Sequence, residues 1–205
     1  MRPADVAAGE DEDEWLRRAR GAATHGPLGH HTHWTAPDHA RPTGGATGKR
    51  VLAEGRRMRE LGLAPTHFCG GGWYTDGDVA EACAELGYVD CTARARRPAY
   101  LGSGEAWASL AAPARIRLPS DRLLAAIPTT HSLGDLGRAL VRRSLPPVVH
   151  VYFHDTDLAD RRRRILLRAL LPLLARCAKP TNIDTVAGEH VPDTPEIPWD
   201  DVARL

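Results

Sequence analysis

The chain has 205 residues, which is long enough for one domain with a sizeable core. Its formal charge of +1 gives no indication of nucleic acid or a membrane surface as a partner. No apolar run reaches the roughly 18 residues of a membrane span, and the N-terminus lacks a signal-peptide pattern. The four cysteines have no CxxC spacing, which is typical of free thiols in a reducing compartment. These features predict a cytoplasmic globular protein.

The first half of the chain alternates predicted helices and strands. Residues 11–23 place acidic side chains before arginines, which suits the dipole of a helix. Residues 47–61 have apolar side chains at helical spacing, and Gly62 can close that helix. Strands are predicted at 28–35, PTHFC and YVDCTA, with a further helix at DVAEACAEL that ends at Gly87.

The middle of the chain is predicted from turn and capping signals. RIRLPS is a candidate strand among proline-rich connections. Ser132 and Asp135 resemble a capping box, which predicts that a helix begins there. PPVVHVYF places β-branched and aromatic residues after a Pro-Pro break, and this pattern predicts a buried strand.

The C-terminal part completes the predicted fold. A long helix is expected over 157–176, with Asp157 as its N-cap and a kink at Pro172. TNIDTVA is predicted to be the last strand, followed by a surface extension over 191–205. Strands that alternate with helices indicate an α/β fold of parallel βα units, forming a sheet or a barrel in one domain over 1–190.

Three histidines in four positions make LGHHTHW the most unusual stretch. Residues i and i+2 of a strand face the same side, so His31 and His33 can converge on one ion. Imidazole nitrogen suits zinc and other first-row divalent metals. His30 faces the other way and is expected to pack or to support the site. The alternative is a polar strand end whose histidines bond only to their neighbours.

A glycine-rich loop follows the second predicted strand. Gly71 and Gly72 let the backbone approach a ligand closely and turn its N–H groups toward a developing oxyanion. The alternative is a flexible turn before a helix capped by Thr75 or Asp76. Trp73 and Tyr74, which come next, either form an apolar wall for a sugar ring or cover the core.

His154 closes the predicted strand VVHVYFHD. It is the candidate general acid or base, because imidazole titrates near neutral pH. His150 and Tyr152 are expected on the same face, and Asp155 or Asp157 can orient the ring. The alternative is a structural histidine at a strand end. Two further features are assigned lesser roles: His131 as a substrate or supporting contact, and the four arginines at 161–164 as a solvated helix face.

These stretches resemble the polysaccharide deacetylase (NodB-homology) family of metal-dependent carbohydrate deacetylases. The family's histidine motif is similar to LGHHTHW, where His31 and His33 match its His-x-His form; in its His-x-x-x-His form, the second position here is Thr35. The family's arginine-proline-tyrosine loop is similar to FCGGGWYTDGDVAEACAELGY, with Cys69 or a glycine in place of the arginine. Its late strand-end histidine matches His154 in VYFHDTDL.

The resemblance covers residues 15–190 and implies an incomplete, distorted (β/α)7-type barrel. It implies a divalent metal, zinc or else cobalt or nickel, bound by His31 and His33. The implied reaction removes an acetyl group from a sugar or related amide by metal-activated water, while His154 protonates the leaving amine. The implied substrate is a carbohydrate or a small acylated compound.

The chain departs from the family at its front. The family's first motif is a strand ending in paired aspartates, one the catalytic base and one a metal ligand, whereas the acidic run at 11–14 has no flanking apolar strand. The domain is therefore expected to be N-terminally truncated, with an open sheet edge that can pair with a second copy. Three interpretations follow: a deacetylase-type hydrolase completed by a partner chain or an upstream segment, a truncated relative that binds metal or sugar without turnover, and a non-catalytic α/β domain with incidental histidines.

Overall fold

A six-stranded, mostly parallel sheet forms the centre of the fold. The computed structural model describes residues 1–34 and 45–205. Within these ranges the strand order is β1-β2-β3-β6-β5-β7; β1, β2, β3 and β6 are parallel, and β5 is antiparallel to β6. The predicted α/β class is confirmed. The strands are β1 Gly29–Thr32, β2 His67–Gly70, β3 Val89–Asp90, β4 Trp107–Ala108, β5 Ala114–Arg117, β6 Leu123–Ala126, β7 Glu196–Pro198 and β8 Ala203–Arg204.

The helices begin largely where the sequence signals place them. Asp11, Asp76 and Ser132 each accept a backbone N–H as N-caps, and Ser132 with Asp135 forms the predicted capping box. The α-helices of the described residues are α1 Glu12–Ala23, α2 Thr47–Glu60, α3 Gly77–Glu85, α4 Leu133–Arg142, α5 Asp155–Ala159, α6 Arg161–Cys177, α7 Ile183–Glu189 and α8 Trp199–Val202.

Helices α2 and α3 pack closely against each other over the main core. Glycines of α2 stand at the contact: a Cβ atom at Gly55 would lie 2.6 Å from a methyl of Leu86 and 2.7 Å from the hydroxyl of Tyr88. At Gly48 it would meet the backbone of Asp78. Beneath the helices lie the buried apolar side chains of the sheet, with Phe68 among the largest. The two glycines therefore set the distance between α2 and α3.

The outer edge of β1 is partly occupied. The amino group of Met1 donates to the carbonyl of Gly29, and the N–H of His31 donates to the carbonyl of Met1 at 2.9 Å. These two bonds give Met1 the position of a neighbouring strand residue along β1. The edge expected to be open is thus bonded at this point.

The prediction of a buried strand at PPVVHVYF is wrong. The segment runs beside 130–131 with a single bridge, between His131 and Val151. The hydroxyl of Thr130 accepts the N–H of His150 at 2.9 Å and so takes the place of a ladder partner. Pro128, just after β6, has no N–H with which to extend the sheet toward the segment. Residues 148–152 are consequently half-buried, and Phe153 is exposed.

Two further predictions in the C-terminal third are wrong. The helix expected over 157–176 is divided at Asp160, which ends α5 and caps α6 by accepting the N–H of Arg163 at 2.9 Å. The N-cap is therefore Asp160 and not Asp157. TNIDTVA forms helix α7 instead of a strand, because Asn182 caps it and its apolar residues recur at helical spacing.

Residues 191–205 belong to the domain and are not a surface extension. Strand β7 pairs with β5 at the edge of the sheet, and β8 pairs with β4. Trp199 and Val202 are buried in the main core. In this short, proline-rich segment, the two buried apolar residues Trp199 and Val202 are three positions apart, and helix α8 places both of them on the side of the core.

Helix α6 is covered far less than α2, the helix nearest to it in length. Leu170 is its one buried residue, while Ile165 is 58% exposed and Leu173 is 45% exposed. The four arginines at 161–164 begin this helix and are exposed, as expected. Among the described residues, no helix is both long enough and apolar enough to cross a membrane.

Candidate functional site

The histidine pair lies at the carboxyl end of β1. The ring centroids of His31 and His33 are 5.0 Å apart. Nδ1 of His31 is 2.6 Å from the carbonyl oxygen of Cys69, and because a carbonyl only accepts, Nδ1 carries the proton and Nε2 carries the lone pair. A ligand histidine oriented through its other nitrogen is the usual arrangement in metal sites.

The neutral protonation state of His31 also suits a metal ligand. Burial lowers its pKa to about 4, and the neighbouring His33 lowers it further in the same direction. The imidazole is therefore neutral at pH 7, which is the form that binds a metal. The pKa of the Cys69 thiol is raised to about 12, chiefly by burial, so this thiol is a poor nucleophile beside the pair.

The opposite face of β1 carries a buried polar cluster. The carboxylate of Glu54, on α2, accepts from Nε2 of His30 at 3.0 Å and from the hydroxyl of Thr32 at 2.8 Å. Arg50 donates to its other oxygen at 2.9 Å. His30 thus packs on the side away from His31, as predicted. The cluster fixes which residues of β1 face the candidate metal position.

A complete ligand set is not present in the described part of the chain. No group of three or more His, Cys, Asp or Glu side chains there could hold one ion. The carboxylate of Glu10 accepts hydrogen bonds from Arg2 and from the N–H of Asp5, and these bonds are the main causes of its lowered pKa. His33 is close enough to lower the pKa of Glu10 slightly further. Thr35 lies outside the described residues.

The glycine loop forms a tight turn at Gly71–Trp73, directly after β2. Gly72 has a φ of +63°, which glycine adopts without strain. A Cβ atom at Gly70 would collide with the carbonyl oxygen of Tyr74. The N–H of Gly70 donates to the hydroxyl of Thr92 at 2.9 Å, and Nε1 of Trp34 donates to the carbonyl of Gly71 at 3.0 Å. These bonds hold the backbone of the loop in one conformation.

The two aromatic residues of the loop have different roles. Trp73 has a φ of +62°, a strained conformation for a bulky residue, and its Nε1 donates to the hydroxyl of Thr129 at 3.0 Å. Tyr74 packs edge-on against Trp34 at 5.3 Å and donates its hydroxyl to Asp76. Only Trp73 faces the cleft described next, whereas Tyr74 joins the margin of the core.

A cleft of about 490 Å³ contains Trp73 and His154. His154 precedes α5 and is exposed; its N–H donates to the carboxylate of Asp157 at 3.0 Å. Asp157 also pairs with Arg163, so this carboxylate holds the backbone at His154. The lining residues are Trp73, Ser132, Leu133, Gly134, Tyr152, His154, Asp157, Arg163 and Leu166.

Arg94 is a residue of this site that the sequence did not reveal. Its guanidinium carbon lies 4.7 Å from the ring centre of Trp73 and 4.9 Å from that of Tyr152, and it donates to the hydroxyl of Tyr152 at 3.0 Å. Its charge also acts on the pKa of Cys69, whose carbonyl orients His31. Arg94 therefore packs against two aromatic residues that line the cleft, and its charge reaches the strand next to the histidine pair. It sits in an arginine-rich irregular segment, where no motif distinguishes it.

Asp90 is a second residue that the sequence did not single out. It ends β3 and is buried, and its carboxylate accepts the N–H of Thr92 at 3.0 Å. Thr92 in turn binds Gly70, so Asp90 supports the glycine loop through one intermediate. Burial raises the pKa of Asp90 to about 6, and hydrogen bonds with Thr92 offset part of this shift.

The raised pKa of Asp90 predicts a specific pH dependence of stability. Between the ordinary value of 3.8 and about 6, the folded protein holds a proton that the unfolded chain has released. The contribution of Asp90 to the free energy of unfolding therefore falls as pH rises through this window, by up to about 3 kcal/mol. Buried histidines such as His31, whose pKa is lowered to about 4, contribute in the opposite direction, so the effect of Asp90 is measured as a difference between variants. In urea titrations at pH 4 to 7, we expect the free energy of unfolding of wild type minus that of Asp90→Asn to fall as pH rises, and the same difference for Asp13→Asn, an exposed control, to stay constant. A difference for Asp90→Asn that does not change with pH would refute this prediction.

Comparisons with known proteins give no family for the chain. Neither a scan against protein-family models nor a search of curated proteins finds a match.

Proposed function

We propose that the chain is a metal-dependent, hydrolase-like protein that resembles carbohydrate N- and O-deacetylases. The observation that carries this proposal is the orientation of His31. Its Nδ1–H donates to the carbonyl of Cys69, its Nε2 lone pair has no hydrogen-bond partner among residues 1–34 and 45–205, and its ring adjoins that of His33. The incomplete (β/α)7-type barrel that the resemblance implies is part of the same proposal.

The residues present fit a divalent metal in part. His31 and His33 supply two nitrogen ligands, whereas catalytic zinc sites use three protein ligands. Zinc, or else cobalt or nickel, would supply a polarised acyl oxygen and an activated water when bound. The chain's own contributions are the two imidazoles, the rigid glycine loop at Gly71 and Gly72, and the aromatic wall formed by Trp73.

His154 is the proposed proton donor to the leaving amine. It lines the cleft beside Tyr152 with a ring-centre distance of 6.4 Å and is accessible to solvent. Its backbone is held by Asp157. An imidazole within reach of the leaving group can act as a general acid. The proposed substrate is a carbohydrate or a small acylated compound.

The second candidate function is binding of a metal or sugar without turnover. The absence of a third ligand among the described residues favours it. It is also favoured by the lack of a sequence match to the family's paired aspartates, of which one is the base. Loss of such a base would by itself slow the reaction by about 10²–10⁴-fold.

The decisive experiment measures bound metal by mass spectrometry after incubation with zinc or cobalt. We expect close to one metal ion per chain in the wild type and its loss in the double variant His31→Ala/His33→Ala, because two of its ligands are removed. His25→Ala is the matched control, since His25 is exposed and outside the pair.

Assays of acetyl release from N-acetylated and O-acetylated sugars then separate the two candidate functions. Metal with acetyl release supports the hydrolase, and metal without acetyl release supports the binding protein. A wild type that takes up no metal under these conditions would overturn both metal-dependent proposals. Retention of metal by the double variant would place it elsewhere in the chain.

A further inference from the structure

Helix α6 concentrates positive charge on the surface of the protein. Its 17 residues include six arginines and no acidic side chain. Residues 133–179, from the start of α4 to just beyond α6, contain ten arginine and lysine residues but only four aspartates, and the rest of the chain has an excess of acidic residues. The overall charge of +1 therefore conceals a strongly basic segment.

Most of the arginines of α6 have no acidic partner. Arg163 pairs with Asp157. Arg164 donates to the backbone carbonyls of Leu158 and Ala159. The other four are exposed and form no ion pair with any residue of 1–34 and 45–205: Arg161, Arg162, Arg168 and Arg176. Their charge can therefore be neutralised by an anionic partner.

An exposed apolar ridge lies among these arginines. Ile165, Ala169 and Leu173 recur every four residues, so they follow one another along one face of α6. All three are exposed, Ile165 to 58% and Leu173 to 45%. Because successive helical residues are about 100° apart around the axis, Arg168 lies on one side of this ridge and Arg162 on the other.

The ridge and its arginines fit the surface of a bilayer that contains anionic lipids. Exposed aliphatic side chains are stabilised by transfer out of water, and arginines beside them can bind headgroup phosphates while their stems stay in apolar surroundings. A second copy of α6 would bring arginines against arginines, and the backbone of a nucleic acid offers nothing apolar to the ridge. An anionic bilayer supplies both chemistries in one plane.

We propose that α6 binds to the surface of membranes that contain anionic lipids, with the ridge of Ile165, Ala169 and Leu173 inserted at the level of the headgroups. The helix lies in the plane of the surface, where the arginines on both sides of the ridge contact the headgroups. This inference goes beyond the proposed function and does not rest on it, since neither the histidine pair nor a metal takes part.

Cosedimentation of the full chain with vesicles tests this proposal. The probes are vesicles of phosphatidylcholine alone and of an equal mixture of phosphatidylcholine and phosphatidylserine. We expect the mixed vesicles to bind at least about 100-fold more tightly, and salt at about 1 M to remove most of this preference by screening. The triple variant Arg161→Gln/Arg162→Gln/Arg168→Gln should bind the mixed vesicles roughly 100-fold more weakly, about fivefold for each charge removed.

Two further variants separate membrane binding from a general effect of charge. Arg17→Gln/Arg18→Gln/Arg20→Gln removes the same charge from exposed positions of α1, and should keep the affinity within about threefold because distant charges are screened. Ile165→Gln/Leu173→Gln keeps every charge and should weaken binding by roughly 10-fold or more, since it removes the apolar ridge.

Three outcomes would overturn the proposal. The first is equal binding, or none, to both kinds of vesicle. The second is an equal loss of affinity in the two triple arginine variants. The third is an unchanged affinity of Ile165→Gln/Leu173→Gln, because that would indicate a partner recognised by charge alone, such as a nucleic acid.

Discussion

Replacement of Glu54 by alanine is expected to lower the free energy of unfolding by roughly 2–4 kcal/mol. The variant leaves the buried ring of His30 and the hydroxyl of Thr32 without their shared acceptor, and it leaves Arg50 without its partner. Nδ1 of His30 already has no hydrogen-bond partner within the described residues, so the ring would keep only the contact of its Nε2 with the hydroxyl of Thr32, at 3.1 Å. Urea unfolding followed by circular dichroism at pH 7 measures the loss.

The matched control is Glu60→Ala on the same helix. Glu60 is 65% exposed, and its carboxylate comes no closer than 3.5 Å to Arg57. We therefore expect the free energy of unfolding to change by no more than about 0.5 kcal/mol. Equal effects of the two substitutions would show that the cluster contributes nothing beyond a surface pair.

The contribution of Glu54 should also depend on pH. Burial on its own would raise its pKa, but hydrogen bonds from His30 and Arg50 outweigh burial and bring the pKa below the ordinary 4.5. The stabilisation is therefore complete above pH 4.5 and is lost as pH falls through the lowered value. The difference between wild type and Glu54→Gln should shrink in that acidic range.

Gly48→Ala is expected to destabilise the protein by about 1–3 kcal/mol or more, through overpacking. The added Cβ would lie 2.8 Å from the carbonyl carbon of Asp78 and closer still to its oxygen, and a backbone cannot rotate away as a side chain can. Gly55→Ala should cost less, because the atoms it meets are the ends of the side chains of Leu86 and Tyr88. Thermal and urea unfolding rank the variants.

Gly188→Ala serves as the opposite case. It lies within α7, and no atom stands within 4 Å of its added Cβ. Alanine there removes the entropic cost of glycine, so we expect a gain of about 0.4–1 kcal/mol. If Gly48→Ala proved as stable as Gly188→Ala, the close contact between Gly48 of α2 and Asp78 of α3 would be refuted.

The sequence predicted best what local chemistry determines. Capping residues such as Asp76 and Ser132 located helix starts, because their side chains bond within the next turn. PPVVHVYF failed because an apolar, β-branched run becomes a strand only beside a partner with free backbone groups, and the hydroxyl of Thr130 competes for them. Strand β6 was missed because its alanines and leucines carry no strand signal of their own.

The residues of the candidate site likewise fall into two groups, those placed by a local pattern and those placed by distant contacts. His31 and His33 lie side by side because side chains two positions apart on a strand face the same way, and their spacing in the sequence predicts this. The contacts of Arg94 and Asp90 in the site reach residues at least 20 positions away: Arg94 bonds to Tyr152, and Asp90 is linked to Gly70 through Thr92. Such long-range contacts depend on the whole fold and leave no local pattern.

The sparse burial of α6 has a consequence for motion at the cleft. A helix held by one buried side chain, Leu170, opens locally at a small fraction of the energy needed to unfold the whole chain, so its amides should exchange with deuterium early. Arg163 and Leu166 of this helix form part of the cleft wall. A ligand that contacts Arg163 and Leu166 would slow deuterium exchange at the amides of α6, while the amides of β1 and β2 stay protected with or without ligand. The degree of slowing would therefore measure how much of the protein has ligand bound in the cleft.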